Sequence, residues 1–141
     1  MVYSIYILSK TQNPYSIHAL YNVMSKDDLH QKLNSAYEIT ITVKGRKSGE
    51  DIPRPVWFIY EGSMLYLLPV KGSDTNWYKN LLFDPMVKIS INDGIEILAR
   101  GQPITDTNGV NEVVKKFKSK YGEGDIKKYY TKFDVAVEVL L

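Results

Sequence analysis

From Tyr37 onward, apolar and polar residues alternate strictly: Tyr37, Ile39, Ile41 and Val43 against Glu38, Thr40, Thr42 and Lys44. A period of two sends the two sets to opposite sides of an extended chain, which predicts a strand with one face buried and one wet. The sequence then offers several more strands on short leashes. "VWFIY", "EGS" and "MLYLLPV" read as strand, tight turn and strand, with Gly62 free to take positive φ. "MVKISI", "NDG" and "IEILARGQPI" form the clearest hairpin, with Asp93-Gly94 suited to a two-residue turn. Strands joined this closely cannot be parallel, because a parallel pair needs a long crossover. The pattern therefore predicts a mainly β chain with inserted helices, built as a six-stranded antiparallel barrel, an arrangement that also removes exposed sheet edges.

The inserted helices have their own signals. In "SKDDLHQKL" Ser25 caps the first turn, Asp28 follows three residues on, and Leu29 and Leu33 share a face. "TNWYKNLLF" predicts about two turns, capped by Thr75 and stopped before Pro85. Val110, Val113, Val114, Phe117 and Tyr121 fall on one helical face, and Gly122 is placed to end that helix. "VYSIYILS" opens the chain and "FDVAVEVLL" closes it as strands. No repeat or linker divides the 141 residues, 44% of them hydrophobic, so the chain reads as one domain over 1–141.

Composition narrows the chemistry. Without cysteine there is no disulfide, thiolate metal site or thiol nucleophile, and with only His18 and His30 a histidine-rich metal centre is not expected. A net charge of +2 is too small to imply a nucleic-acid partner, so any anion binding must be local. "MVYSIYILSK" lacks the pattern of a signal peptide, and no apolar run reaches the roughly 18 residues of a membrane span. The expectation is a cytoplasmic protein.

Local cations do occur. "TVKGRKSG" places Arg46, Lys47, Ser48 and Gly49 in the turn after the first alternating strand. A solvated turn is the plain reading. The functional one is a phosphate, gripped by the Arg46 fork and the Lys47 charge, with the Ser48 hydroxyl and the amides around Gly49 as further donors. Arg54 follows within reach of the same mouth. Lys71 and Gly72 precede the helix at Thr75, whose N-terminus favours anions. Trp77 can wall a crevice or pack in the core, and Asn80 can fix a loop by hydrogen bonds. Pro53, Pro55 and Trp57 read as a stiffened strand start, or as an edge against which a planar ligand lies. The lysines of "KKFKSK" and "IKKYY" fall outside and Phe117 inside, a solvated helix face. No nucleophile elbow, phosphate-binding P-loop or dinucleotide fingerprint is present.

Taken in order, "TVKGRKSG", Pro55, the Gly62 turn, Lys71-Gly72, "NWYKNL" and "P-x-V-x-I-x-I" from Pro85 resemble the deazaflavin-dependent nitroreductase family. That family sits within the split β-barrel flavin and deazaflavin oxidoreductases, beside pyridoxamine-phosphate-oxidase-like proteins. The resemblance covers residues 37 to 100 and leaves 1–36 unaccounted for. It implies a split barrel binding coenzyme F-420 and passing hydride to or from a small-molecule acceptor. It further implies Arg46 and Lys47 as the phosphate pair, with Ser48 and Gly49 in the same turn, and Pro55, Val56 and Trp57 along the ring. Lys71 is then a further cation near the phosphate or tail, and Gly72 a glycine that lets the backbone approach. Tyrosines that orient substrate or donate a proton lie toward the family's C-terminus, which makes Tyr129 and Tyr130 the catalytic candidates, beside Tyr121. Three departures stand out: Ile52 occupies the place of an arginine, with Arg54 two residues later; Val70 replaces a polar residue; and the loop from Lys71 to Trp77 is short. FMN in the same fold, a non-catalytic cofactor carrier or sensor, and a basic interaction domain are the competing readings. Such barrels occur as monomers and as dimers, so a homodimer stays open.

Overall fold

In the computed structural model, which describes residues 4–9, 21–91 and 94–141, the chain runs β1 (Ser4–Ser9), β2 (Tyr21–Ser25), α1 (Lys26–Ser35), β3 (Ile39–Lys44), β4 (Asp51–Val56), β5 (Phe58–Glu61) and β6 (Met64–Leu67). A 3-10 turn (Gly72–Asp74) leads into α2 (Asn76–Phe83), then β7 (Met86–Ile91), β8 (Ile95–Ile104), α3 (Thr107–Tyr121), α4 (Glu123–Tyr129) and β9 (Ala136–Leu140). Val2, Tyr3, His18 and Asp93, which enter the sequence expectations, lie outside the described residues.

Seven strands follow one another in the hydrogen-bonded order β4-β3-β7-β8-β9-β6-β5, every pair antiparallel. The two ends of that path, β4 and β5, are consecutive in the chain and separated by Trp57 alone. A flat sheet could not hold its first and last strands one residue apart, so the sheet curls into a split barrel. The β1–β2 hairpin attaches outside the path, through Leu8–Glu96 and Ser9–Ile95. β8 makes the bend possible. Its first six residues pair with β7 and its last four with β9, and the switch comes at Gly101. A methyl group on Gly101 would meet Leu81 Cδ1 at 2.7 Å, so glycine there lets α2 press onto the strand.

The alternation in β3 is realised: Ile39, Ile41 and Val43 are buried, and Thr40 and Thr42 half-buried. Tyr37 departs from it, 59% exposed and two residues before the strand begins. In α1 the Ser25 hydroxyl accepts from the Asp28 amide at 3.2 Å, while Leu29 and Leu33 enter the main core. The stripe of α3, from Val110 to Tyr121, builds a second apolar cluster with Ile126 and Tyr130. Gly122, at φ 94°, ends the helix.

Three expectations are corrected. Among the described residues there are nine strands, not six: β2 was not foreseen, and Pro53 and Pro55, read as a strand start or an edge, lie inside a separate strand, Asp51–Val56. It lies at one end of the strand order, where missing donors leave no neighbour unpaired. The β7–β8 connection has three residues, since Ile91 pairs directly with Ile95, and Gly94 takes φ 76°. Thr75 begins α2 without capping it through its side chain, because its hydroxyl accepts from the Lys71 amide at 2.8 Å instead.

Candidate functional site

The β3–β4 turn is closed by its own backbone, Gly45 N–H donating to Glu50 O and Gly49 N–H to Gly45 O, both at 2.8 Å. Gly49 takes φ 71°. The Ser48 hydroxyl accepts from the Glu50 amide at 3.1 Å. These bonds give the turn one shape, and α2 fixes where it points. Asn80, 5% exposed, presents its side-chain carbonyl to Arg46 twice, accepting from the backbone amide at 3.1 Å and from Nη1 at 2.7 Å. The result is a recess of about 310 Å³ between turn and helix, lined by Arg46, Lys47, Ser48, Ile52, Arg54 and Asn80 among others. Three of its lining residues are cations and none is a carboxylate. Lys47 makes no ion pair among the described residues, so the recess keeps its positive charge.

A second cavity of about 490 Å³ adjoins it, and Arg54, Asn76 and Trp77 line both. Its walls are chiefly apolar and aromatic: Pro55, Val56 and Trp57 from β4 and the corner after it, Leu68 and Val70, and Tyr129 and Tyr130. Ile52 and Arg54 alternate along β4 on one face, so the arginine stands one pleat farther from the turn than its expected place and bridges the two spaces. Trp77 is both things the sequence allowed, 8% exposed in the core and a wall of each cavity. The first turn of α2, lacking a side-chain cap, opens where the cavities meet.

Trp57 is held by rings. It stacks on Tyr121 with centroids 4.4 Å apart and planes 5° from parallel, and Tyr129 meets it at 90° and 5.8 Å. The Tyr121 hydroxyl does structural work. It accepts from the Phe58 amide at 3.0 Å and lies within donating distance of the Tyr37 and Phe58 carbonyls, at 2.8 and 2.9 Å. Burial pushes its pKa up to about 12. Burial, reinforced by Tyr121, also raises Tyr130 strongly, so that hydroxyl keeps its proton across the physiological range. Tyr129 is half exposed at the cavity mouth.

Several sequence candidates take other places. Gly49 lies in the turn but on neither wall, and Gly72 also lines neither. Gly72 is buried at φ 54°, and the backbone approach it permits is to the chain's own Asp134 and Lys132. Asp134 accepts from the Ser73 amide at 2.9 Å and from its hydroxyl, and Lys132 pairs with Asp74 at 3.2 Å, which ties the Lys71–Thr75 strap to the segment after α4. Lys71 lines the larger cavity and not the basic recess. Sequence reasoning missed Asn76, Glu38 and Asp74 on the walls. Asn76 had a signal, as the first residue after Thr75; the other two had none.

A curled antiparallel sheet with a cation-lined recess opening into an aromatic cavity defines a split-barrel protein with a bipartite cleft. The chain belongs to the family described as "Uncharacterized protein conserved in bacteria", DUF2255, whose model matches residues 29–137. Among solved structures it is similar to an F-420-H2-dependent reductase, FDR-A, at 18% identity and a TM-score of 0.57, over 73% of this chain and 93% of that one. It is also similar to a putative pyridoxamine 5'-phosphate oxidase from Listeria innocua, at 15% identity and a TM-score of 0.61, over 81% and 90%. The heme storage protein HutZ from Vibrio cholerae matches at 13% and a TM-score of 0.62, over 82% and 87%. These likenesses establish the split-barrel fold, the one implied by the sequence resemblance. No curated protein matches the chain.

Proposed function

We propose that the cleft binds a phosphorylated planar redox cofactor, the deazaflavin coenzyme F-420, and that the protein is an oxidoreductase acting on a small-molecule acceptor. One observation carries the reading: a recess with three cations and no carboxylate opens, through Arg54, Asn76 and Trp77, into an aromatic cavity large enough for a small-molecule ring system. The donor set fits the group. Arg46, pre-set by Asn80, would grip the phosphate, with Lys47 adding a point charge and the first-turn amides of α2, which lack a side-chain cap, completing the cradle. Pro55, Val56, Trp57 and Trp77, which line the cavity, would flank the ring.

The bound cofactor supplies hydride chemistry, two electrons and a proton moving together. The chain's contribution is to orient the ring, exclude water from its apolar face and hold a proton. Tyr130, buried and neutral, is a hydrogen-bond donor rather than a proton source at ordinary pH. Tyr129, half exposed on the cavity wall, would be the hydroxyl that meets an acceptor.

FMN in the same cleft is the second reading, favoured by the same phosphate recess and by the oxidase-like relative. A non-catalytic carrier accords with the heme storage relative.

The test is a fluorescence titration of the protein with F-420 and with FMN, repeated on Arg46→Ala and Lys47→Ala. Each substitution removes a charge-assisted contact, so affinity for F-420 is expected to fall roughly tenfold or more. Tighter binding of FMN moves the protein to the flavin branch. Binding of neither returns the turn to a structural role.

A further inference from the structure

The larger cavity contains a cation that the phosphate does not need. Lys71 is exposed on its wall, on the strap between β6 and α2, and it makes no ion pair among the described residues. Its backbone is anchored, with the amide donating to Thr75 Oγ1 and the residue bridging to Lys132. Asp74, three residues on, also lines the cavity but is paired with Lys132 at 3.2 Å. Lys132 in turn is engaged by Asp134 and Ser73. The acids of this region, Asp74 and Asp134, thus have Lys132 as their ion-pair partner rather than Lys71. Glu38 is the other acid on the wall, contributed from beside β3, next to Tyr37. The wall therefore carries two cations, Arg54 and Lys71, and two acids, Glu38 and Asp74, of which Asp74 has Lys132 for a partner while Lys71 pairs with neither acid among the described residues. Arg54 sits where the cavity meets the recess, leaving Lys71 among Leu68, Val70, Tyr129 and Tyr130.

We infer that Lys71 is a specificity residue for the acceptor rather than a cofactor ligand, and that the acceptor class is a small planar molecule carrying one anionic group, such as a carboxylate. This rests on the cofactor reading above for the word acceptor, but the anion site itself does not. The exposed apolar side chain of Val70, 41% exposed, gives the body of such a molecule a surface next to the charge. The aromatic wall of Tyr129 and Tyr130 suits a flat ring. The Lys71 charge attracts the anion while the apolar wall beside it holds the ring, so one molecule meets both contacts.

Naphthoate and naphthamide share one planar body and differ in charge, so they are the probes. Their dissociation constants would be measured by quenching of Trp57 and Trp77 fluorescence, with and without bound F-420, on the natural protein, Lys71→Ala and Lys71→Arg. The natural protein is expected to prefer naphthoate by roughly tenfold. Lys71→Ala should abolish the preference, Lys71→Arg should keep most of it, and neither should move the F-420 constant more than about twofold. No preference in the natural protein, or a preference that survives Lys71→Ala, overturns the inference. So does a tenfold loss of F-420 affinity in Lys71→Ala, which would return the lysine to the cofactor. If F-420 fails to bind while the naphthoate preference depends on Lys71, the cofactor reading falls and the anion site stands. Because the Lys71 side chain is exposed, the variants are expected to melt as the natural protein does, which circular dichroism would check.

Discussion

Asn80 gives one carbonyl oxygen to two donors of the same residue, and this makes Arg46 a fixed group rather than a long flexible one. Removing that oxygen in Asn80→Ala leaves a part-buried amide without a partner, at a cost of about 1–3 kcal/mol in urea unfolding. Asn80→Asp keeps the acceptor but brings a negative charge into the recess. It is therefore expected to unfold close to the natural protein and still lose affinity for phosphate-bearing ligands, a separation that calorimetric titration would read. The sequence showed Arg46, Lys47, Ser48 and Arg54 as a cluster because they are neighbours in the chain. It offered Asn80 as a side chain able to fix a loop but not which loop, since that contact spans 34 positions. Gly72 is the opposite case. A glycine before a helix suggested room for a ligand, whereas its bare Cα faces Asp134, a partner visible only after folding.

At the scale of elements, α3 does more than fill a groove. Tyr121 at its last turn ties Phe58, the first residue of β5, and stacks under Trp57, so the helix sets the corner where β4 gives way to β5. Its hydroxyl is neutral in the fold up to about pH 12, whereas an unfolded tyrosine ionises near pH 10. The folded value is raised, so the stability that depends on it is intact below pH 10 and lost as pH climbs toward 12. A shift of that size corresponds to roughly 3 kcal/mol. Tyr121→Phe should flatten this alkaline loss in pH-dependent denaturation while lowering stability at neutral pH by about 1–3 kcal/mol, because the Phe58 amide loses its acceptor. Elements with a clear period were legible: β3, β7, β8, α1 and the stripe of α3 all follow from spacing. β4 was half legible: its prolines read as a strand start or an edge, and it does lie at an end of the order. That Asp51–Val56 is a strand of its own, ending before Trp57, could not be read from the spacing. The side-chain cap expected of Thr75 failed for a comparable reason, since a nearby backbone amide took its hydroxyl first.

For the whole molecule, the prolines in β4 protect an end of the strand order that would otherwise offer a row of donors to another chain. Pro53→Val together with Pro55→Val is expected to keep the pairing with β3 but to promote self-association, seen as a concentration-dependent rise in light scattering. Unchanged scattering would show that the edge is guarded by something else. Position in that order has a further result at β9. This strand stands between β8 and β6, and among the described residues the β5–β6 hairpin is hydrogen-bonded to the rest of the path only through it. On the ribosome, then, the first hundred or so residues can emerge and still be unable to close the barrel, and the cleft acquires its second wall only when the segment around Ala136–Leu140 has been synthesised and released.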